Sequence, residues 1–323
     1  MKACVYTKYG PPEVVNFSEV IKPIPNPNEI LIQVKFATVN RTDCGFRSAE
    51  YFISRFFSGL FKPKNQILGN EFAGIVVEIG TNVSHFKIGD KVFGYNDKTF
   101  GAHAEFLCLN EKSNMALVPE NIEIDAAAPI CEGAHYALCD IRAAKIKAGD
   151  EVLVYGATGA IGSSAVQLLK HFGAHVTAVC NSQNIDVVYS LGADKVINYQ
   201  KEDYSKLSGK FDLIFDAVGK TSFKIGKKVL KEKGIYISTE LGKRGANVWL
   251  ALLTPIFSKK KVLFPIPFLN LEDVHFLADL VLSNEFKPLI DRTYKMEQIV
   301  EAYQYVESAQ KVGNVLLEID ASC

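Results

Sequence analysis

Short β-branched runs, punctuated by proline and glycine, fill the first third of the chain. Lys2–Tyr6, Glu29–Val39, Glu71–Ile79 and residues 90–93 carry this pattern, with Pro23, Pro25, Pro27, Gly80 and Gly89 between them. Residues 1–123 are therefore expected to form a compact, barrel-like β domain rather than a repeat array. From residue 124 the period changes. A helix is expected over 124–143, with a break near Pro129 and Gly133, and strands and helices then alternate. Strands are expected at Glu151–Tyr155, His175–Cys180, Lys195–Asn198, 212–216, 234–238 and 261–264. Helices are expected at 161–172, 185–191 and 224–230. Alternation at this spacing predicts an α/β unit with a doubly wound parallel sheet over residues 124–268. The tail, 269–323, reads as a helix (Leu271–Leu282), a strand (287–294), a helix (296–310) and a last strand (314–319), and is expected to return to the first domain.

Composition narrows the function classes. The 323 residues are 48% hydrophobic and 22% charged, enough apolar material for two cores. Lys plus Arg and Asp plus Glu balance at 36 each, so no basic excess marks the chain for nucleic acid. The seven cysteines form no C-x-x-C pair, which argues against a disulfide framework or zinc finger and for a reducing, cytoplasmic setting. The opening MKACVY reads as a strand rather than a targeting signal. The longest apolar stretch, 248–257, is interrupted by Thr254 and Pro255, and it falls short of the ~20 residues that span a bilayer.

One motif carries chemistry. Residues 152–162 read VLVYGATGAIG, a buried strand turning through Gly156, Ala157, Thr158, Gly159, Ala160, Ile161 and Gly162 into an amphipathic helix. Small residues there let a backbone approach a pyrophosphate, whose charge sits at the positive helix N-terminus. Either a dinucleotide binds here or the turn is only a tight connection. Readers of NAD place Asp or Glu about 20 residues further on, against the ribose hydroxyls. Here Asn181 and Ser182 end the next strand, and no acid follows until Asp186. Without a carboxylate to repel a 2′-phosphate, NADPH is the expected cofactor.

Taken together, the opening MKACVYTKYGPPEVV, residues 37–47, GNEFAG at 69–74, IGDKV at 88–92, the glycine turn, LGAD at 191–194 with INY at 197–199, and residues 211–219 resemble the medium-chain dehydrogenase/reductase family. The resemblance runs along the whole chain and is to the zinc-independent, quinone oxidoreductase-like branch. It implies a GroES-like catalytic domain and a Rossmann domain. Where zinc-dependent members hold catalytic metal, this chain has Asn40, Asn70 and Cys131. Two amides and one thiol make a poor tetrahedral zinc set, so no metal is expected. Substrates that take a hydride without a Lewis acid are already activated, which points to quinones and α,β-unsaturated carbonyl compounds. A zinc-free alcohol or aldehyde oxidoreductase, or a nucleotide-binding relative without turnover, are the alternatives.

The resemblance also implies roles. Asn40 offers an amide to a substrate oxygen or ties down its own loop, and Thr42 sits where relatives relay protons. Arg41 aligns with a pyrophosphate contact and His135 with a nicotinamide-pocket residue. Tyr199 matches a residue near the adenine ribose, while Ala217, Val218 and Gly219 match a strand end at the nicotinamide amide. Asn314 stands where relatives carry a lysine near the cofactor. Tyr51, Phe52, Asn70, Cys131 and Glu132 are candidate substrate-pocket residues. The apolar crowd of Tyr51, Phe52, Phe56, Phe57 and Phe61 reads as a lid, as core packing or as both. A strand near 261–267 is a candidate edge for a homodimer, and no integral membrane association is expected.

Overall fold

The computed structural model describes residues 1–49, 55–207 and 210–320, apart from the side chain of Phe57. It divides into two compact units, Met1–Glu132 with Leu269–Cys323, and Gly133–Phe268. The first unit therefore extends past the boundary expected at residue 123.

In the first unit, β1 (Lys2–Tyr6) pairs antiparallel with β2 (Val15–Glu19). The long β3 (Glu29–Val39) alternates short buried runs with half-exposed positions and is flanked by β4 (Glu71–Ile79) and β6 (Phe106–Asn110). Between β3 and β4 lie α1 (Arg41–Ser48) and α2 (Arg55–Ser58). β5 (Lys91–Tyr95) joins β4, and β7 (Met115–Leu117) joins β5. Strands β2, β6 and β7 are absent from the pattern-based reading. They have three to five residues each, and pairing with β1, β3 and β5, rather than their own alternation, holds them extended. The predicted helix over 124–143 is two helices, α3 (Ile124–Ala127) and α4 (Glu132–Ala144), and the break spans Pro129.

The second unit is built on β8 (Glu151–Tyr155), α5 (Ala160–His171), β9 (His175–Cys180), α6 (Ile185–Ser190), β10 (Lys195–Asn198), β11 (Phe211–Asp216), α7 (Phe223–Gly226), β12 (Leu230–Ser238), α8 (Ala246–Phe257) and β13 (Lys261–Leu263). Among the described residues these strands form a six-stranded sheet in the order β10-β9-β8-β11-β12-β13, parallel throughout. α5 buries most of its length, including Ala165, Val166, Leu168 and Leu169, and the core includes Leu153, Val179, Ile214, Tyr236 and Val262. Each buried Val, Leu or Ile among them contributes about 1.5–3 kcal/mol by leaving water. One expectation shifts here: α7 ends at Gly226, and β12 already begins at Leu230. The charged start of β12 is held by pairing with β11, where Lys231 Nζ donates to Asp212 Oδ2 at 2.6 Å.

Asp140 on α4 is buried, and desolvation raises its carboxyl to about 8 from an ordinary 3.8. A group raised on folding contributes stability that is complete below its unfolded value and lost as pH climbs through its folded value. Asp140→Asn is therefore expected to stabilise the protein by about 2–5 kcal/mol near pH 9 and to change it little near pH 4. Urea denaturation at the two pH values checks this.

The chain then returns to the first unit through α9 (Leu271–Leu282), β14 (Ile290–Lys295), α10 (Ile299–Glu307) and β15 (Asn314–Glu318). β15 pairs antiparallel with β3 and parallel with β14, completing a seven-stranded sheet among the described residues. Ile30, Ile32, Phe72, Val76, Met296, Tyr303 and Leu317 meet in its core.

Candidate active site

The glycine turn is held by close backbone packing. Gly156 follows β8 at φ +81°, and a Cβ there would lie 2.6 Å from a methyl of Val218. A Cβ on Gly162 would lie 2.0 Å from the Gly156 carbonyl oxygen, so the first turn of α5 presses on the strand end. Gly156 N and Ala157 N both donate to Val179 O, which fastens the turn to β9. The N-cap of α5 is Gly159, which supplies no side-chain cap. The first-turn amides after it face the end of the helix where an anion is favoured.

Because β8 lies between β9 and β11, the ends of these three strands stand side by side. At the end of β9, Asn181 Oδ1 is buried without a hydrogen-bond partner among the described residues. Ser182 donates through N and Oγ to Gln200 Oε1, at 3.1 and 2.9 Å, and Tyr199 N donates to Cys180 O, leaving a half-exposed ring. At the end of β11, the buried Asp216 carboxylate accepts from Gly219 N at 2.9 Å, Val218 N at 3.3 Å and Tyr236 Oη at 2.9 Å. Burial raises its pKa against the pull of these donors. Asp216 thereby shapes the turn at Ala217, Val218 and Gly219. His135, on α4, is buried with its ring against Tyr136.

In the first unit, a polar cluster gathers at the ends of β3 and β4. Asn40 caps α1: its Oδ1 accepts from Asp43 N at 3.0 Å, while Asp43 Oδ2 accepts from Asn40 N at 3.2 Å. That cap fixes the Asn40 amide. Its Nδ2 must point away from the helix and donates to Asn70 Oδ1 at 2.6 Å. The remaining donor is Asn70 Nδ2, fully buried and without a partner among the described residues. The donor left for a ligand is thus on Asn70, with Asn40 positioning it.

Asp43 also accepts from Gly69 N at 3.0 Å, so one carboxylate ties the loop of Asn40 to the loop of Asn70. Burial raises it to about 7. His103 lies beside it, and burial lowers its pKa to about 4. Its Nε2–H donates to Thr38 O at 2.8 Å, which leaves Nδ1 to accept from Tyr303 Oη at 3.3 Å. Gly69 has φ +88°, and a Cβ there would sit 2.5 Å from the His103 ring. Asp43→Ala leaves two buried N–H groups without an acceptor, each costing ~1–3 kcal/mol, so a loss of about 2–6 kcal/mol in urea denaturation is expected.

A second line of groups runs beside the amides. Thr38 Oγ1 donates to Glu71 Oε2 at 2.9 Å, and Glu71 Oε1 accepts from Cys131 N and Glu132 N at 2.6 and 2.7 Å. Thr42 Oγ1 donates to Glu132 Oε1 at 2.7 Å. Burial raises Glu71 to about 8 and Glu132 to about 7, and it pushes the Cys131 thiol well up. Lys311, partly buried with Nζ donating to Gly313 O at 2.6 Å, is lowered to about 8 by burial, against the attraction of Glu132.

Of the other expected residues, Arg41 is near enough to Lys311 for its charge to help lower that amine's pKa. Arg41 is exposed on the first turn of α1. Asn314 is buried, and both its N and its Nδ2 donate to Leu289 O, so its side chain holds the start of β15. Tyr51 and Phe52 lie outside the described residues. Sequence reasoning missed Lys311, although it stands only three residues before Asn314. It also missed Asp43, His103 and Tyr303, whose separation along the chain leaves no spacing to read.

Residues 26–122 match the alcohol dehydrogenase GroES-like domain, and residues 191–317 match the zinc-binding dehydrogenase domain. The chain is 31% identical over 329 residues to a 2-methylene-furan-3-one reductase of Solanum lycopersicum, covering 98% of this chain and 79% of that one. The chain belongs to the medium-chain dehydrogenase/reductase family. Another relative, at 29% identity over 98% of this chain and 79% of its own length, is an NADPH-dependent alkenal/one oxidoreductase of Arabidopsis thaliana. The quinone oxidoreductase from Coxiella burnetii is similar in structure, with a TM-score of 0.87 at 27% identity and 99% of each chain covered. The two units of this medium-chain dehydrogenase/reductase are the GroES-like fold and a Rossmann-like parallel sheet.

By the family resemblance, Asn40, Asn70 and Cys131 correspond to the metal ligands of zinc-dependent members, and the geometry tests whether a zinc ion suits them. The two amides are bonded to each other, and the thiol is held protonated by burial. Among the described residues no three His, Cys, Asp or Glu side chains gather as a metal-binding group. The donor set present does not suit zinc.

Proposed function

We propose that the protein transfers a hydride from NADPH, without a metal ion, to a quinone or an α,β-unsaturated carbonyl compound. The observation that carries this reading is the buried Nδ2 of Asn70, an amide donor without a partner among the described residues; the family resemblance matches its position to a metal ligand of zinc-dependent members. An amide donor stabilises a developing enolate or phenolate oxygen, but it lacks the Lewis acidity that a saturated alcohol requires.

The second unit suits the cofactor. The glycine-lined turn of Gly156, Ala157, Thr158, Gly159, Ala160, Ile161 and Gly162 admits a pyrophosphate, and the orphaned Asn181 oxygen offers an acceptor to a ribose. Ser182 and Tyr199 stand at the end of β9, where residues 179–185 hold no acid to repel a 2′-phosphate. When bound, NADPH supplies the hydride from its nicotinamide ring. Asn70 holds the acceptor's oxygen, Asn40 orients Asn70, and Thr42 passes a proton from Glu132 to the reduced product. The six described cysteines are all free, which suits a reducing compartment such as the cytoplasm.

Chelator-washed protein is expected to oxidise NADPH steadily with enones and quinones and to carry negligible zinc by elemental analysis. Deuterium from labelled NADPH should appear at the β-carbon of an enone product. Stoichiometric zinc, or activity confined to saturated alcohols and aldehydes, overturns the reading.

A further inference from the structure

One face of the parallel sheet in the second unit changes character along its strands. Leu153 on β8, Val179 on β9 and Ile197 on β10 belong to one core cluster. Side chains two residues apart share a face, so the positions just upstream on that face are Glu151, Thr177 and Lys195. The apolar core thus gives way to a carboxylate, a hydroxyl and an ammonium near the starts of three neighbouring strands. Lys195 stands directly opposite Thr177 in the pairing of β10 with β9. The connection from β10 to β11 leaves this patch open. Its one regular element among the described residues is a single helical turn of three residues, Tyr204–Lys206, where a parallel crossover usually carries an α-helix.

The result is a cavity of about 370 Å³ lined by Glu151, Thr177, Lys195, Leu207, Lys210 and Phe211. That volume falls within the ~300–1,000 Å³ typical of small-molecule sites. The cavity lies where the strands begin, at the edge of the sheet opposite the glycine turn. Its polar groups are uncommitted. Among the described residues, no ion pair or side-chain hydrogen bond engages the Glu151 carboxylate, the Thr177 hydroxyl or the ammonium of Lys195 or Lys210. Lys231, another cation close enough to feel the Glu151 charge, is already bonded to Asp212 at 2.6 Å.

We propose that this cavity binds a small hydroxylated monocarboxylate with an apolar body. The two lysines exceed Glu151 by one positive charge, which a monoanion neutralises and a phosphate dianion overshoots. The ligand's carboxylate meets the two ammoniums, and its apolar body lies on Leu207 and Phe211. Its hydroxyl donates to Glu151, a carboxylate that can only accept, and shares the Thr177 hydroxyl. Such a ligand ties together the starts of β8, β9, β10 and β11 and so favours the folded second unit. The proposal stands apart from the hydride-transfer reading, and its test reads binding rather than turnover.

The probe is para-hydroxybenzoate, which carries all three features. Isothermal titration into the full-length protein, with and without NADPH, is expected to show the same single site, and the melting temperature should rise with probe concentration. Lys195 and Lys210 are both exposed, so Lys195→Ala with Lys210→Ala should leave circular dichroism and NADPH affinity unchanged. The same double variant should weaken probe binding by about tenfold or more. Thr177→Val should bring the affinity for para-hydroxybenzoate down towards that for benzoate, which lacks the hydroxyl. The proposal is overturned if no heat of binding appears, or if the double variant binds the probe as the wild type does. It is also overturned if benzoate or inorganic phosphate binds the wild type as tightly as para-hydroxybenzoate, since the site then reads charge alone. Competition between the probe and NADPH overturns it as well, because the probe then sits in the cofactor's place.

Discussion

Gly162→Val is expected to raise the dissociation constant for NADPH by more than about a hundredfold while leaving the far-ultraviolet dichroism intact. A Cβ at this position would fall 2.0 Å from the Gly156 carbonyl oxygen, so the first turn of α5 must move off the end of β8. That movement shifts the first-turn amides, which have no side-chain cap, away from the place proposed for the pyrophosphate. A loss of about 3 kcal/mol corresponds to the hundredfold change. Isothermal titration with NADPH measures it. Wild-type affinity in the variant would mean the turn is only a tight connection, and the cofactor reading would fall with it.

Glu132→Gln is expected to lower kcat by about a hundredfold to a thousandfold and to flatten its pH profile, with NADPH affinity little changed. Burial raises the Glu132 carboxyl to about 7, and Thr42 Oγ1 donates to it at 2.7 Å. Only the protonated acid can supply a proton to an enolate or phenolate. Its population is complete well below pH 7 and falls about tenfold for each unit above it, so wild-type kcat should decline as pH rises through about 7. Lys311, lowered to about 8, loses its charge slightly higher, and with it the attraction that holds the Glu132 anion. Thr42→Ala should reproduce the loss and Thr42→Ser restore most of it, since serine keeps the hydroxyl. An unchanged profile in Glu132→Gln would remove Glu132 from the proton path.

The parts of this molecule legible in its sequence are those whose cause is local. β3 sits at Glu29–Val39 because eleven residues of β-branched and aliphatic pattern specify it without help. The glycine turn was legible because the need for small side chains is written in the residues themselves. The short β2, β6 and β7 were not legible, because the neighbouring strand makes them strands. The roles of the two amides needed the structure as well. Asn40 could be read as a substrate donor or as a tie for its own loop; its N-cap bond to Asp43 fixes which end of the amide meets Asn70, whose Nδ2 is the donor without a partner among the described residues. The buried Asp43, His103 and Tyr303 come from three distant segments, so no spacing announces them.

The pairing of β15 with β3 fixes an order of events during synthesis. β3 leaves the ribosome well before Asn314–Glu318 has been made. The contiguous 133–268 unit can close its parallel sheet while translation continues, but the first unit must wait with an open strand edge until β15 has emerged. At ~5–20 residues per second, the interval between the two strands lasts on the order of tens of seconds. During that time the aliphatic edge of β3 depends on its other neighbours, or on a chaperone, to keep it from pairing with another nascent chain.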